Sequence, residues 1–98
     1  MENTYVVYSE EYYFSMNTFS SVLKKNVYNV TYNEDSASEV KNMIEDTLQK
    51  TVEAGDINAN NEMLTTFEVK VIPLEGKYSI EDAKKMVANG DYTWGRSR

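Results

Sequence analysis

The chain contains no cysteine and no histidine, and only one proline and four glycines in 98 residues. The first two absences remove whole mechanisms. There is no Ser–His or Cys–His nucleophile pair, no imidazole base and no thiolate. Zinc sites built from Cys and His are excluded too, so a bound metal would have to be a hard cation held by oxygens. No disulfide staples the fold. The glycines Gly55, Gly76, Gly90 and Gly95 stand singly, so no glycine-rich loop cradles a phosphate. No apolar run approaches the roughly 20 residues of a membrane-spanning helix, and Met1-Glu2-Asn3 does not open like a secretory signal. The expected setting is therefore cytoplasmic, with no membrane partner.

What the chain has is ordinary globular content with an acidic excess. It is 41% hydrophobic and 27% charged, with a formal net charge of −6. That balance and length argue for one domain over residues 1–98, with 91–98 as a flexible C-terminal tail. The charge is uneven. Residues 29–62 hold eight acids (Glu34, Asp35, Glu39, Glu45, Asp46, Glu53, Asp56, Glu62) against Lys41 and Lys50. Free nucleic acid is an unsuitable partner for such a surface, and a basic protein a suitable one.

The pattern along the chain predicts the order β-α-β-α-β-α. Residues 3–8 are β-branched and aromatic, as in a strand. Over 9–25, Tyr12, Ser15, Met16, Phe19, Val22 and Leu23 share one side of a helix, with Ser9 as cap and Lys24 and Lys25 at its end. A hairpin with Tyr12, Phe14 and Met16 alternating is the competing reading. Residues 27–32 read as a second strand. A long helix starts at Ser36 or Ser38 and runs to Ala54, where Gly55 ends it; Ala37, Val40, Ile44, Leu48 and Val52 form its apolar arc. Residues 56–64 read as a polar loop, the stretch expected to move most. Thr66 to Pro73 alternates as a strand with one polar side, and a last helix begins at Ser79 and closes at Asn89-Gly90. The expected fold is α/β of the α+β kind: a two-layer sandwich of three or four strands with two or three helices on one face. A small ferredoxin-like plait is the alternative.

Chemistry-bearing patterns are sparse. The pairs Glu10-Glu11, Glu34-Asp35, Glu45-Asp46 and Glu81-Asp82 invite an acid/base reading, but adjacent residues on a helix do not face each other across a substrate. Glu34 and Asp35 with Asp56 and Glu62 lack the spacing and central glycine of a calcium loop. The stripe Glu39, Asp46 and Glu53, spaced by seven, suggests a nucleic-acid mimic. Yet helix over 39–53 spans about 21 Å, where B-DNA carries roughly a dozen charges; Glu39, Glu45, Asp46 and Glu53, offset by two lysines, are too dilute. Catalytic residues, a metal and a cofactor are accordingly expected to be absent.

The eight tyrosines carry more information. Tyrosine joins a large apolar area to a hydroxyl, which suits contact surfaces. On a helix over 9–25, Tyr13 and Phe14 fall off the apolar arc and would form an exposed contact patch, unless the tail with Tyr92 and Trp94 covers them. The expectation is thus a small, acidic, non-catalytic interaction domain, an inhibitor or adaptor docking Tyr13, Phe14, Trp94 and Tyr92 on a macromolecular partner. Glu39, Asp46 and Glu53 steer the encounter. The partner is a protein, basic in character, or a second copy in a homo-oligomer. Eight lysines to two arginines, with abundant Asn and Tyr, resemble the output of an AT-rich bacterial or bacteriophage gene. The alternative is a binder of an anionic metabolite or nucleotide, held at helix N-termini near Ser9, Ser36 or Ser79.

Overall fold

The computed structural model describes residues 3–88. Its elements, in order, are β1 (Asn3–Ser15), β2 (Ser20–Thr31), α1 (Glu34–Ala54), β3 (Glu62–Glu75) and α2 (Ile80–Ala88). The three strands form one antiparallel sheet in the order β2-β1-β3. The α+β class holds, but the expected order and layering do not.

The helix expected over 9–25 is instead the distal half of a long hairpin. The helical spacing of Tyr12, Met16, Phe19 and Leu23 is real, but so is the strand propensity of Tyr12-Tyr13-Phe14 and Val22-Leu23. Tertiary pairing decides between them. As a strand, β1 pairs with β2 from Tyr5 to Ser15 and with β3 from Asn3 to Ser15, so both edges of its backbone are used. A helix in this window would leave the first half of β3 without a neighbour. The chain reverses at Met16–Phe19, where the Phe19 N–H donates to the Ser15 carbonyl at 2.8 Å and the Thr18 N–H to Ser15 Oγ at 3.3 Å. The element order becomes β-β-α-β-α, with two helices.

Nor do the helices share a face. Even-numbered residues of β1 point one way: Val6 and Tyr8 pack with Leu74, Ala83 and Val87 under α2. Odd-numbered ones point the other way: Val7 packs with Ala37, Leu48, Leu64 and Val69 under α1. The sheet is therefore the middle of three layers, not one side of a two-layer sandwich. Bulges between Val7 and Tyr8 against β2, and between Tyr12 and Tyr13 against β3, place the extra residue on the outer strands, so the alternation of β1 is unbroken.

α1 follows its sequence signals closely. The arc of Ala37, Val40, Ile44, Leu48 and Val52 lies against the sheet. Gly55, in the left-handed region at φ 66°, donates to the carbonyls of Thr51 and Val52 and ends the helix. Its start lies earlier than expected, because Asn33 is the cap: Asn33 Oδ1 accepts from the Ser36 N–H at 3.1 Å. Phe67, Val69 and Val71 of β3 face α1 as their alternation predicted. The loop expected over 56–64 is shorter: β3 begins at Glu62, where Glu62, Met63 and Leu64 pair with Ser15, Phe14 and Tyr13, and the turn before it is held by Asn58 Oδ1 accepting from the backbone N–H groups of Asn60 and Glu62.

The two helices are unequal, and this positions the surface described next. α1 has 21 residues, about 31 Å at 1.5 Å per residue. α2 has nine, about 13 Å. The strands, of 13, 12 and 14 residues, are each about 40–46 Å long at 3.3 Å per residue. α2 starts near Thr4, whose hydroxyl donates to the Gly76 carbonyl and accepts from the Tyr78 N–H. It ends with Val87 beside Val27 of β2. Lys84 and Val87 also line a groove with Lys25 and Asn26, and among the described residues the packing of α2 extends no nearer the hairpin tip than that.

Candidate interaction surface

On the face left bare by α2, β1 presents Glu10, Tyr12 and Phe14. Their cross-strand neighbours on β2 are Lys25, Leu23 and Ser21. Tyr12 and Leu23 form an exposed pair at 42% and 43%, and Phe19 at the hairpin tip is 77% exposed. The rings of Phe14 and Phe19 sit 6.4 Å apart and tilted by 60°. Tyr12, Leu23, Phe14 and Phe19 thus make a small apolar cluster bordered by the polar Glu10, Lys25, Ser21 and Thr66.

Phe19 is unusual in its backbone as well. It adopts φ 52°, a region that costs a side-chain-bearing residue about 1–2 kcal/mol. The tip that holds it there is clasped by the turn before β3. The Met16 N–H donates to the Asn61 carbonyl at 2.8 Å, and Asn61 Nδ2 donates to Asn17 Oδ1 at 3.2 Å. An exposed phenyl ring is thus presented by a strained residue on a fastened loop.

The opposite face contains a buried carboxylate. Glu11 is 1% exposed and is the largest fully buried side chain. Its Oε2 accepts from Ser9 Oγ, from the Tyr28 hydroxyl and, at 3.0 Å, from Asn26 Nδ2; its Oε1 accepts from the Tyr13 hydroxyl at 2.6 Å. Burial pushes the carboxyl up, but the hydrogen bonds from Ser9, Tyr13, Tyr28 and Asn26 together outweigh it and hold Glu11 below the usual carboxylate range. The same contact acts on the phenols in the other direction. Burial, reinforced by Glu11, raises Tyr13 and pushes Tyr28 up to about 12. Lys24, across from Glu11 in the sheet, ion-pairs with Glu62 instead and lies 4.9 Å over the Tyr13 ring. With four donors and almost no solvent contact, Glu11 anchors side chains of β1 and β2 and has no path to a substrate.

Sequence reasoning missed Glu11, because no residue pattern distinguishes a buried glutamate from a solvated one. It also joined residues that the fold separates. Tyr13 faces α1, half-buried and bonded to Glu11, whereas Phe14 faces the bare strip. Glu39, Asp46 and Glu53 are all exposed on α1, where Asp46 pairs with Lys50 at 3.1 Å and Glu53 accepts from Gln49 at 3.1 Å. Since α1 and the aromatic strip occupy opposite faces of the sheet, the acidic stripe and the aromatics do not form one surface. Tyr92 and Trp94 lie outside the described residues, as do the tail 91–98 and the Asn89-Gly90 helix stop.

The other candidates also find places. Glu10 and Glu11 point to opposite faces of β1, and Glu10 lies 3.6 Å from Lys70. Ser9 lies within β1, Ser36 sits inside α1, and Ser79 caps α2 reciprocally with Asp82. Among the described residues no three Asp or Glu side chains gather as a metal site, and no helix is long and apolar enough to cross a membrane. Comparison of the chain with protein-family models, with curated proteins and with solved structures finds no match in any of the three.

Proposed function

We propose that this protein is a small acidic interaction domain, of the inhibitor or adaptor type, that acts by docking on another protein and does no chemistry of its own. One observation carries the reading: the sheet face beyond the described part of α2 exposes Tyr12, Leu23 and Phe19 together, beside Phe14, on a hairpin paired along its length. Aromatic anchors held in one conformation lose little freedom on binding, which is the property of an interface hot spot. The absence of His and Cys from the chain and the fully bonded state of Glu11 favour binding over catalysis.

Exposure supports a different set of anchors within this reading. Tyr12, Phe19 and Leu23 join Phe14 as contact residues, and Tyr13 supports them from behind as a structural residue. Glu39, Asp46 and Glu53, on the far side, act on a basic partner only through the long-range field and on the rate of encounter.

The test compares capture of protein partners from a bacterial lysate by the full chain and by two variants. Phe19→Ser with Leu23→Ser removes exposed aromatic and aliphatic contacts; Glu39→Gln with Glu53→Gln alters the acidic stripe. The reading expects a partner that survives high salt and the acidic-stripe change, and is lost with the Phe19 and Leu23 change. Binding that collapses with salt and ignores Phe19 and Leu23 would transfer the function to α1. A thermal shift with a nucleotide or other anionic metabolite, and none with a protein, would favour the small-molecule alternative.

A further inference from the structure

Among the described residues β2 and β3 are the two edges of the sheet, and the edges differ in chemistry. We propose that β3 of one copy pairs antiparallel with β3 of a second copy about Val69, joining two three-stranded sheets into one. This self-association stands apart from the docking of a different protein and does not rest on it.

The start of β3 fixes which of its backbone groups face outward. The Asn61 carbonyl accepts from the Met16 N–H on the β1 side at 2.8 Å, and the Glu62 carbonyl accepts from the Asn58 N–H on the outer side at 2.9 Å. Glu62 lies opposite Ser15, so the β3 partners of Ser15 and of every second residue back along β1 face outward. Beyond the bulge at Thr65, whose hydroxyl bonds the Tyr12 carbonyl, these partners are Phe67, Val69, Val71 and Pro73. Pro73 agrees with this phase, because a proline within a sheet keeps its nitrogen on the free side. Past the bridge from Ile57 to Met63, no described strand takes up the outward groups.

Three features select one register. The first is where the regular edge stops. The Thr65 bulge and Pro73 bound it, and Val69 lies midway between them, so pairing about Val69 sets each copy's bulge against the other's proline. The second is hydrogen bonding. Val69 meets Val69 and Phe67 meets Val71, outward residues that exchange bonds in pairs. The third is charge. Glu68 of each copy falls opposite Lys70 of the other, in the closely spaced positions where cross-strand side chains interact most. Sliding by two residues sets Glu68 against Glu68 or Lys70 against Lys70, and sliding by one turns outward groups against inward ones. β2 offers no such match. Ser20–Thr31 carries Lys24 and Lys25 and no acid, the kind of edge that resists self-pairing. The two-fold axis of a β3 pair is perpendicular to the sheet, so both copies present Tyr12 and Leu23 on the same side.

Sedimentation equilibrium of the full chain measures this directly. The mass should rise from 11.3 kDa toward twice that value as concentration approaches about a millimolar. Over the same range amide exchange at Phe67, Val69 and Val71 should slow several-fold, while the amides of β2 keep their rates. Glu68→Lys should abolish the rise in mass, and so should Lys70→Glu, because each sets like charges opposite one another. An equimolar mixture of the two variants should restore the dimer, since each supplies the charge the other lacks. Lys70 also lies 3.6 Å from Glu10, so circular dichroism checks that Lys70→Glu folds. If it does not, the exchange pattern of the parent chain and the mass of Glu68→Lys decide. A parent chain that stays at 11.3 kDa throughout would overturn the inference. So would a dimer that ignores Glu68→Lys, one that protects β2 instead of β3, or growth into longer polymers, which would mark pairing of β2 with β3.

Discussion

Tyr13 and Phe14 are neighbours in the chain and lie on opposite faces of the sheet. The Tyr13 hydroxyl bonds Glu11 at 2.6 Å beneath α1, and the Phe14 ring meets Phe19 on the side α2 leaves bare. The pair therefore meets two environments: one ring is bonded to a buried carboxylate and the other lies beside the ring at the hairpin tip.

The two rings should respond differently to truncation. Tyr13→Ala removes packing and one of the four donors to a buried carboxylate, so it should destabilise the fold by about 2–3 kcal/mol. Urea denaturation measures this directly. A loss below half a kcal/mol would mean that the Glu11 network does not brace the hairpin.

Glu11→Gln should be more damaging than its near-identical shape suggests. An amide nitrogen at Oε2 would face Asn26 Nδ2, a donor that cannot accept, and would force the Ser9 and Tyr28 hydroxyls to turn. At Oε1 it would force the Tyr13 hydroxyl to turn. Either way the charge that strengthens all four bonds is lost. A cost of about 2 kcal/mol is expected, equivalent to roughly 10 °C in melting temperature for a domain of this size.

Stability should also depend on pH through the same group. Glu11 is held below its ordinary range in the folded protein, so its contribution is complete above the unfolded-state pKa of about 4.3. It is lost as pH falls through the lower, folded-state value. Tyr28 works at the other end. Its folded pKa of about 12 lies above the unfolded one, so its contribution is complete below pH of about 10 and is lost as pH rises toward 12. Denaturant midpoints measured across pH should fall at both ends, and Tyr28→Phe should flatten the alkaline limb.

Phe19→Gly should separate stability from function. Glycine relieves the positive φ, and the lost ring is 77% exposed, so the variant should be as stable as the parent or more so by up to about 1 kcal/mol. Partner capture should nevertheless weaken. If stability falls substantially, the Phe14–Phe19 contact is structural and the tip is not a docking element.

Gly55→Ala isolates a pure backbone effect. A Cβ there meets nothing within 4 Å, yet φ is 66°, so a destabilisation of about 1 kcal/mol should come from strain alone. A crowding explanation is unavailable at this position, which makes the measured value a direct reading of the helix stop.

Much of this fold was legible along the chain. The arc from Ala37 to Val52, the Gly55 stop, the alternation of Phe67, Val69 and Val71 and the capped start at Ser79 all stand where local rules put them, because each depends on neighbours three or four residues away or on a period of two. Residues 9–25 satisfied two local periods at once. Only pairing of β1 with β3, some 50 to 70 residues away in sequence, decided between them. The candidate surface followed that decision. Once the segment was a strand, Tyr12 and Phe14 fell on one face and Glu11 and Tyr13 on the other, and Tyr12 stayed exposed while Glu11 was buried.

By itself the amino-acid order determined the reactive groups available, the acidic excess and the elements whose signals are short-range. Which aromatics reach solvent, and how a glutamate survives in the interior, were decided by the assembled sheet. A strand's two faces acquire different environments only when something packs on them, and a buried carboxylate is stable only when donors from separate strands converge on it.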